Sequence, residues 1–363
     1  MTVAAIVLLL AIVSFAILQT CAARQRVMVV GSTPLALEIV REIEGRPARG
    51  WTLIGVVAEA TEPGPHWTRY PVVGPLERLG EMLERLRPNR VVVAVADRTG
   101  ELCIPSLQAA RAQGTVVQDG VEAYEWLTGR LATDDLRPTA LVASPRSARS
   151  RIDAALRQGL GLVAALVGLL AAAPLLVVIA LAIKLDSRGP VLFRQDRLGL
   201  AGRRFRLLKF RTMHPVAGPT SEWVDHNQER ITRVGKWLRR FRLDELPQFV
   251  NILSRDMNLV GPRPHPVSNG ALFADSIPGC ALRSTARPGV TGWAQVRYGY
   301  ANGLGEEAEK VRYDLYYIKH QSLRLDLFIL LATVGIVVFG RVPERTRHPR
   351  VSRPSGRGVG TRS

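Results

Sequence analysis

Twenty-four consecutive residues, Leu160 to Ile183, carry no charge. Both flanks of this run are basic: Arg146, Arg149, Arg151 and Arg157 precede it, and Lys184, Arg188, Arg194 and Arg197 follow it. Basic segments favour the cytoplasmic side of a membrane, so a spanning helix here would strand one flank outside. Pro174 also sits inside the run, where proline removes a backbone donor and kinks or breaks a helix. Each half, at about 1.5 Å per residue, is roughly 15–20 Å long. That is short of a hydrocarbon core of about 30 Å. The sequence therefore predicts a re-entrant helix-break-helix over 158–184 that dips into one leaflet and returns. The alternative is a kinked spanning helix, which tertiary packing can tolerate and which places everything after Lys184 outside the cell.

Thr2 to Ala23 is a second uncharged run, long enough to span a bilayer. A secretory signal would carry basic residues before its apolar core. Here they come after it, at Arg24 and Arg26. The expectation is a transmembrane helix over 2–23 with its N-terminus outward. Leu327 to Phe339 is apolar but too short to span, which fits an interfacial or buried helix. The tail, 341–363, has seven arginines among Pro, Gly and Ser. Such a composition is expected to be disordered and to suit anionic membrane lipids.

The formal charge is +18, which calls for an anionic partner: nucleic acid, lipid headgroups or phosphorylated substrates. Single-strand binders interleave aromatics with basic residues. Aromatics are only 6% of this chain, so no nucleic-acid partner is expected. Cys21, Cys103 and Cys280 show no metal-ligand spacing and no paired framework. A reducing compartment is the simplest context for the last two.

Between the membrane pieces, β-branched runs alternate with amphipathic segments. "RVMVVG", "WTLIGVVAE", "RVVVAVAD" and "TVVQDG" read as strands, and "PLALEIVREIEG", "PLERLGEMLERLRP", "PSLQAARAQG" and "VEAYEWLTGRL" as helices. This alternation predicts a parallel, doubly wound, Rossmann-like domain over 26–143. A dinucleotide fingerprint needs three glycines after the first strand. Here only Gly31 is present, with Thr33 and Ala36 in the other places. Without the second glycine the backbone cannot approach a pyrophosphate closely. A structural, regulatory or oligomerising role is the better expectation, and homo-oligomer formation stays open.

The chemistry is concentrated downstream. In "RRFRLDELPQFVN" (Arg239 to Asn251), Asp244 and Glu245 follow three arginines and precede Pro247. Proline favours a first helical turn, so a helix is predicted from near Asp244. Leu246, Phe249, Val250 and Leu253 would form its apolar stripe, and Asp244, Gln248, Asn251 and Arg255 its polar one. The helix start and the arginines predict a lowered pKa for Asp244. An acidic N-cap is a common device and would explain the pair alone. Three other motifs point further. "FRLLKFRTM" reads as a strand with Lys209 and Arg211, "VGPRPH" places Arg263 between prolines, and "RPGVTGWAQV" is a glycine-rich turn headed by Arg287. Each offers a cation or exposed N–H groups suited to polyphosphate.

"GPVLFRQDRLG", "KFRTM", "LDELPQ", "GPRP" and "PGVTGWAQV" occur in this order. Together they resemble the bacterial sugar transferase family, the monotopic phosphoglycosyl transferases that act on polyprenyl phosphate. The resemblance covers roughly Arg157 to Gly340, with a catalytic domain over 185–340. The segment ending "YEWLTGRL" looks like the N-terminal part of the family's long members. Those usually carry several membrane helices first, so this chain looks shortened there. The family's re-entrant helix commonly breaks at Ser-Pro, where this chain has Ala173-Pro174. The residue before Leu-Asp-Glu is often small and polar, and here it is Arg242.

The resemblance implies an α/β membrane protein at the bacterial inner membrane with a cytoplasmic catalytic domain. Asp244 would be the nucleophile and Glu245 a ligand of Mg²⁺. Lys209, Arg211, Arg239, Gln248, Arg263 and Arg287 would bind substrate, arginine's fork matching phosphate oxygens. A UDP-sugar would pass its sugar 1-phosphate to polyprenyl (undecaprenyl) phosphate through a phospho-aspartate, releasing UMP, as a first membrane step of exopolysaccharide or glycan synthesis. His265 occurs after "GPRP" in relatives that transfer glucose 1-phosphate, and fits a loop cap equally well. Two other readings remain: a non-catalytic scaffold of a polysaccharide assembly complex, and a membrane-anchored NAD-dependent sugar dehydrogenase.

Overall fold

A computed structural model of the chain describes residues 25–45, 50–59, 65–95, 104–132, 148–215, 229–299, 301 and 303–339. The expected helix over 2–23 and the tail over 341–363 lie outside the described residues.

The first unit runs β1 (Gln25–Val30), α1 (Pro34–Gly45), β2 (Trp51–Ala58), β3 (Val72–Pro75), α2 (Leu79–Leu86), β4 (Arg90–Val93), α3 (Ile104–Ala112), β5 (Val116–Asp119) and α4 (Gly120–Thr128). Its strands form one parallel sheet in the order β3-β2-β1-β4-β5. The central strand is apolar on both faces, with Val27, Met28, Val29 and Val30 all fully buried. Helices α1 and α4 cover one face through Ile39, Tyr124 and Leu127, while α2 and α3 cover the other through Leu79, Met82 and Ala110. The expected alternation is present, with one strand added. β3 is four residues long, ends in proline and lies at the sheet edge, where proline is tolerated.

Doubly wound sheets bind dinucleotides at the carboxyl ends of the strands flanking the topological switch point. At that point, between β1 and β4, the turn after β1 lies close to the end of β4. Thr33 Oγ1 donates to the Ala94 carbonyl at 2.7 Å, and a Cβ on Gly31 would lie 2.1 Å from the same oxygen.

The long apolar run is α5 (Ala148–Asp186), a single helix of 39 residues with Pro174 inside it. The break expected at Pro174 is absent. Proline forfeits one hydrogen bond in a helix interior, whereas ending the helix there would expose several more backbone groups to apolar surroundings. One side of α5 packs along the rest of the chain. Arg157 pairs with Asp153 and Asp326 at 3.1 and 3.7 Å, Gly168 sits against Phe249, and Ile179 and Ile183 are buried with Phe210 and Leu238. At the far end Asp186 accepts from Val234 N at 3.0 Å. The other side exposes Leu160, Val163, Val167, Leu170, Val177, Val178 and Leu181.

The second unit continues with the antiparallel hairpin β6 (Leu192–Leu198) and β7 (Arg204–Phe210), then α6 (Arg233–Arg240), a 3₁₀ turn at Leu243–Glu245 and α7 (Gln248–Leu253). β8 (Asn258–Val260), α8 (Val267–Ser276), a 3₁₀ turn at Cys280–Thr285 and β9 (Gly289–Thr291) follow. The unit ends with α9 (Trp293–Arg297), α10 (Leu304–Lys319) and α11 (Leu323–Phe339). α11 buries Ile329 and exposes Leu327, Leu331, Val334 and Val338, the two-faced behaviour expected of an interfacial helix.

The helix predicted from Asp244 begins instead at Gln248, after the 3₁₀ turn. Its polarity departs from the expectation at three positions: Gln248 and Asn251 are buried and Val250 is exposed, while Leu246, Phe249 and Leu253 pack against the core as expected. Asn251 accounts for this. Its Oδ1 accepts from Leu208 N at 3.0 Å and its Nδ2 donates to Arg206 O at 2.9 Å, so it completes the free edge of β7. Phe249 is turned toward α5 instead.

The two units are joined by a buried ionic seam. Arg312 on α10 donates to Tyr124 Oη at 2.7 Å and to Leu131 O at 2.9 Å. Trp293 Nε1 donates to Gly129 O at 2.6 Å, and Arg130 meets Glu309 at 2.7 Å. Glu125 pairs with Lys319 and His320 at 2.8 and 2.9 Å.

Replacing Asn251 with Leu leaves one part-buried donor and one part-buried acceptor of β7 without their partner. The expected loss is about 2–4 kcal/mol, read as a lower unfolding midpoint of the detergent-solubilised full chain.

Candidate active site

Three separated segments meet at Glu245: strand β7, the 3₁₀ turn that carries it and the Arg263 loop. Glu245 is 7% exposed. Its Oε1 accepts from Arg263 Nη2 at 2.9 Å and lies 3.6 Å from Lys209 Nζ, and its Oε2 lies 3.8 Å from Arg242 Nη1. Burial alone would raise this carboxyl, but Arg263, Lys209 and Arg242 outweigh it and hold the pKa at about 2. Glu245 is therefore ionised throughout the physiological range.

Asp244 shifts the other way. Burial raises its carboxyl, the charge on Glu245 raises it further, and Lys209, Arg239 and Arg263 oppose both. The lowered pKa predicted for Asp244 is thus corrected. The nearby cations are committed mainly to its neighbour, and the helix start meant to assist it is a short 3₁₀ turn. Two adjacent carboxyls are pushed apart, as happens where two acids take different tasks.

The motifs place these groups as follows. Lys209 projects from β7, opposite Phe193 in the hairpin. Burial and then Arg263 push its ammonium down to about 8, with Glu245 pulling the other way. Arg239, at the end of α6, donates to Thr212 Oγ1 at 3.0 Å and is among the charges acting on Asp244. Gln248 is 2% exposed, and its Nε2 has no hydrogen-bond partner among the described residues. Arg242, just before the pair, has a left-handed backbone, φ 53° and ψ 24°.

Two expected ligands stand apart from this cluster. Arg211 is buried, and its guanidinium donates to Arg188 O at 2.9 Å, Ser187 O at 2.7 Å and Ser187 Oγ at 2.9 Å. It satisfies carbonyls left open at the end of α5. Arg287 makes no hydrogen bond or ion pair to the carboxylates among the described residues, and its carbonyl lies near Gly261.

The glycine-rich turn is not an open phosphate cradle. β8 and β9 form a parallel pair that joins "VGPRPH" to "RPGVTGWAQV". Gly261 N donates to Thr291 O and Gly289 N to Pro262 O, both at 2.9 Å. Added Cβ atoms would lie 2.5 Å from Arg287 O at Gly261 and 2.0 Å from Gly261 N at Gly289. The glycines allow this close backbone approach, and the ladder uses their N–H groups.

Beneath the Arg263 loop lies a network that spacing did not reveal. Arg283 donates from Nε to Asp314 Oδ2 at 2.9 Å and from Nη2 to the Arg263 carbonyl at 2.8 Å, and it also contacts the His265 ring. His265 Nε2 meets Glu307 Oε1 at 2.8 Å, and Lys310 pairs with Glu307 at 2.9 Å. Burial, followed by Arg283, lowers His265 to about 3, so the ring is neutral. Arg197 Nη1 donates to Pro264 O at 3.0 Å. The partners of "GPRPH" lie tens of residues away, and no local pattern marks them.

A family model described as bacterial sugar transferase matches residues 152–340. The chain belongs to the bacterial sugar transferase family. It is 31% identical over 317 residues to the UDP-glucose:undecaprenyl-phosphate glucose-1-phosphate transferase of Escherichia coli (strain K12), covering 86% of this chain and 67% of that protein. It is 40% identical over 220 residues to the UDP-N-acetylgalactosamine-undecaprenyl-phosphate N-acetylgalactosaminephosphotransferase of Aeromonas hydrophila, covering 60% of this chain and 51% of that protein. With a UDP-glucose:undecaprenyl-phosphate glucose-1-phosphate transferase of Caulobacter vibrioides (strain ATCC 19089 / CIP 103742 / CB 15) it shares 48% identity over 165 residues, covering 45% of this chain and 62% of that protein. The chain thus spans about half the length of the Aeromonas relative and two thirds of the Escherichia one.

Lys209 gives this sugar transferase site a pH signature. Its folded pKa of about 8 lies below the ordinary 10.5. Its charge therefore costs stability below pH 8, and that cost is relieved as pH rises from 8 toward 10.5. A phosphate bound beside Lys209 would restore the proton. Affinity of the full chain for inorganic pyrophosphate is expected to fall roughly tenfold or more between pH 7 and 9.5. Titration calorimetry should show the fall flattened in Lys209→Met.

Proposed function

We propose that this chain transfers a sugar 1-phosphate from a UDP-sugar to undecaprenyl phosphate, releasing UMP, through a phospho-aspartate on Asp244. The observation that carries this reading is the split pair. Glu245 is fixed and ionised within a basic cluster, and Asp244 beside it is raised in basicity and less encumbered. The cluster also stands close to a long, outwardly apolar helix. The relatives are themselves named as transferases of a sugar phosphate from a UDP-sugar to undecaprenyl phosphate.

Asp244 attacks the sugar-linked phosphorus. The bond from that phosphorus to the bridging oxygen breaks, and UMP leaves with the electron pair. An oxygen of the polyprenyl phosphate then attacks the same phosphorus and displaces the Asp244 carboxylate. Each step exchanges one P–O bond for another and needs no oxidant or reductant. Lys209, Arg239 and Arg263 hold the phosphate oxygens and stabilise the charge that builds on them. A covalent relay lets a water-soluble and a lipid-embedded substrate use one site in turn.

Mg²⁺ is commonly held by one or two carboxylates plus substrate phosphates and water. Asp244 and Glu245 meet that requirement, and Glu245 Oε2, 3.8 Å from Arg242, keeps capacity for a cation. Among the described residues no group of three acidic, His or Cys side chains is available, so the phosphates would complete the shell. Glu245 would be the holding residue. The ion would neutralise phosphate oxygens and polarise the phosphorus.

The packing supports a membrane placement. Both ends of α5 are tied to the same unit, through Arg157 and Asp186. Its outer side and α11 present apolar residues. We place that surface in the cytoplasmic leaflet of the bacterial inner membrane, with both basic flanks and the active site facing the cytoplasm. On α6, Trp237 and Phe241 stack at 6.0 Å beside Arg240, a pairing suited to the headgroup layer. The Rossmann-like unit takes no part in hydride chemistry in this reading: of the dinucleotide fingerprint it keeps Gly31 alone, and Thr33, at the place of the second glycine, is bonded to the Ala94 carbonyl.

Incubation with radiolabelled UDP-sugar should put label on the protein before any lipid is added. Asp244→Asn should abolish that label and lower UMP release by about a thousandfold or more. Undiminished transfer by this variant favours a scaffold. For topology, single cysteines at Leu156 and Arg188 are expected to resist an impermeant maleimide in intact cells and to react together after permeabilisation. External labelling at Arg188 alone would establish a spanning helix.

A further inference from the structure

A cavity of about 160 Å³ opens next to the carboxylate pair. Arg242 and Arg263, both of which reach Glu245, line it, and Glu307, Lys310 and Gln295 also contribute to its wall. Gln295 belongs to "GVTGWAQV" and is 6% exposed. Its Nε2 donates to Val290 O at 3.2 Å. Its Oε1 is buried, and among the described residues no donor reaches it. A buried carbonyl oxygen without a donor is rare and asks for a partner that is absent.

We propose that this cavity takes the pyranose ring of the sugar nucleotide, and that Gln295 Oε1 accepts a hydrogen bond from one of its hydroxyls. The assignment rests on the transfer reaction proposed above and names where its sugar is read. Arginines near the pair suit the phosphates. Donors and acceptors line the same cavity: Arg242, Arg263 and Lys310 donate, while Glu307 and Gln295 accept. A sugar hydroxyl donates and accepts at once, so such a lining can engage several of them. Uracil fits less well, because it offers one N–H and a flat face that wants stacking. Among the described residues the aromatic rings in the lining are His265 and Phe273, and Phe273 is 3% exposed and edge-on to His265 at 4.8 Å between centroids. The His265–Glu307–Arg283–Asp314 network lies beneath, so His265 acts as a positioning residue for the wall and the Arg263 loop.

The test pairs each missing hydroxyl with the residue that reads it. UMP release by the full chain in nanodiscs is measured with the preferred UDP-hexose and its monodeoxy analogues. For the unsubstituted chain, one deoxy analogue is expected to lose about tenfold or more in kcat/KM. In Gln295→Met that analogue and its parent should react alike, with the inhibition constant for UMP changed less than twofold. Asn269→Ala, a half-exposed position in the same lining, provides a second variant if the first does not fold. It should shift the preference among UDP-hexoses and again leave UMP inhibition in place. Deoxy discrimination that survives Gln295→Met, or UMP inhibition that weakens in step with kcat/KM, overturns the assignment. Failure of the transfer reaction itself reads differently: the unsubstituted chain releases no UMP from any sugar nucleotide. Calorimetric binding of UDP-hexose against UDP, with and without Gln295→Met, then still decides the cavity.

Discussion

One ionised carboxylate holds the catalytic unit in register. Glu245 draws Lys209 from a hairpin strand, Arg242 from the turn before it and Arg263 from a proline-bracketed loop. The Arg263 backbone is in turn held by Arg283, which is locked to Asp314 on α10. Three cations in so small a volume would repel one another without the anion at their centre. Removing one partner of a buried charge cluster is severe, because the others are left uncompensated. The same arrangement leaves a strongly positive rim, which suits the diphosphate of the proposed substrate. The fold and the chemistry therefore share one electrostatic requirement.

Much of this architecture is legible in the residues. The strand-helix alternation from Arg26 to Leu131 predicts the parallel sheet, because doubly buried strands need continuous apolar runs. Only β3 escapes, since Val72–Pro75 is too short to show a period. The carboxylate pair, Lys209, Arg239 and Arg263 are also found from motif and charge. Arg211 and Arg287 look identical to them in sequence, but one caps the end of α5 and the other stays apart. A cation's role depends on which carbonyls or carboxylates lie within reach, and that is decided by long-range packing. The same holds for the inward polar residues of α7, where Asn251 is buried because an edge strand needs its amide. Pro174 misleads for a related reason: a local rule favours a break, and the wider apolar setting keeps the helix.

The seam between the two units binds them through signature residues. Trp293 of "GVTGWAQV" donates to a carbonyl of the first unit, and α10 carries Glu307 near one end and Lys319 at the other. One rigid helix thus runs from the wall of the cavity to the contact with Glu125. Structural partnership is a use for the full sheet of the first unit that needs no dinucleotide fingerprint.

The backbone at Arg242 adopts a conformation that glycine or asparagine would enter with little penalty, but for arginine it costs about 1–2 kcal/mol. Its carbonyl accepts from Glu245 N at 3.2 Å, so the torsion also sets the turn that carries the pair. Durability and reactivity pull this position toward different side chains. A lineage that relaxes the torsion gains a sturdier fold and surrenders one of the three charges that clamp the neighbouring acid. Divergence here would tune turnover without touching any atom that reacts.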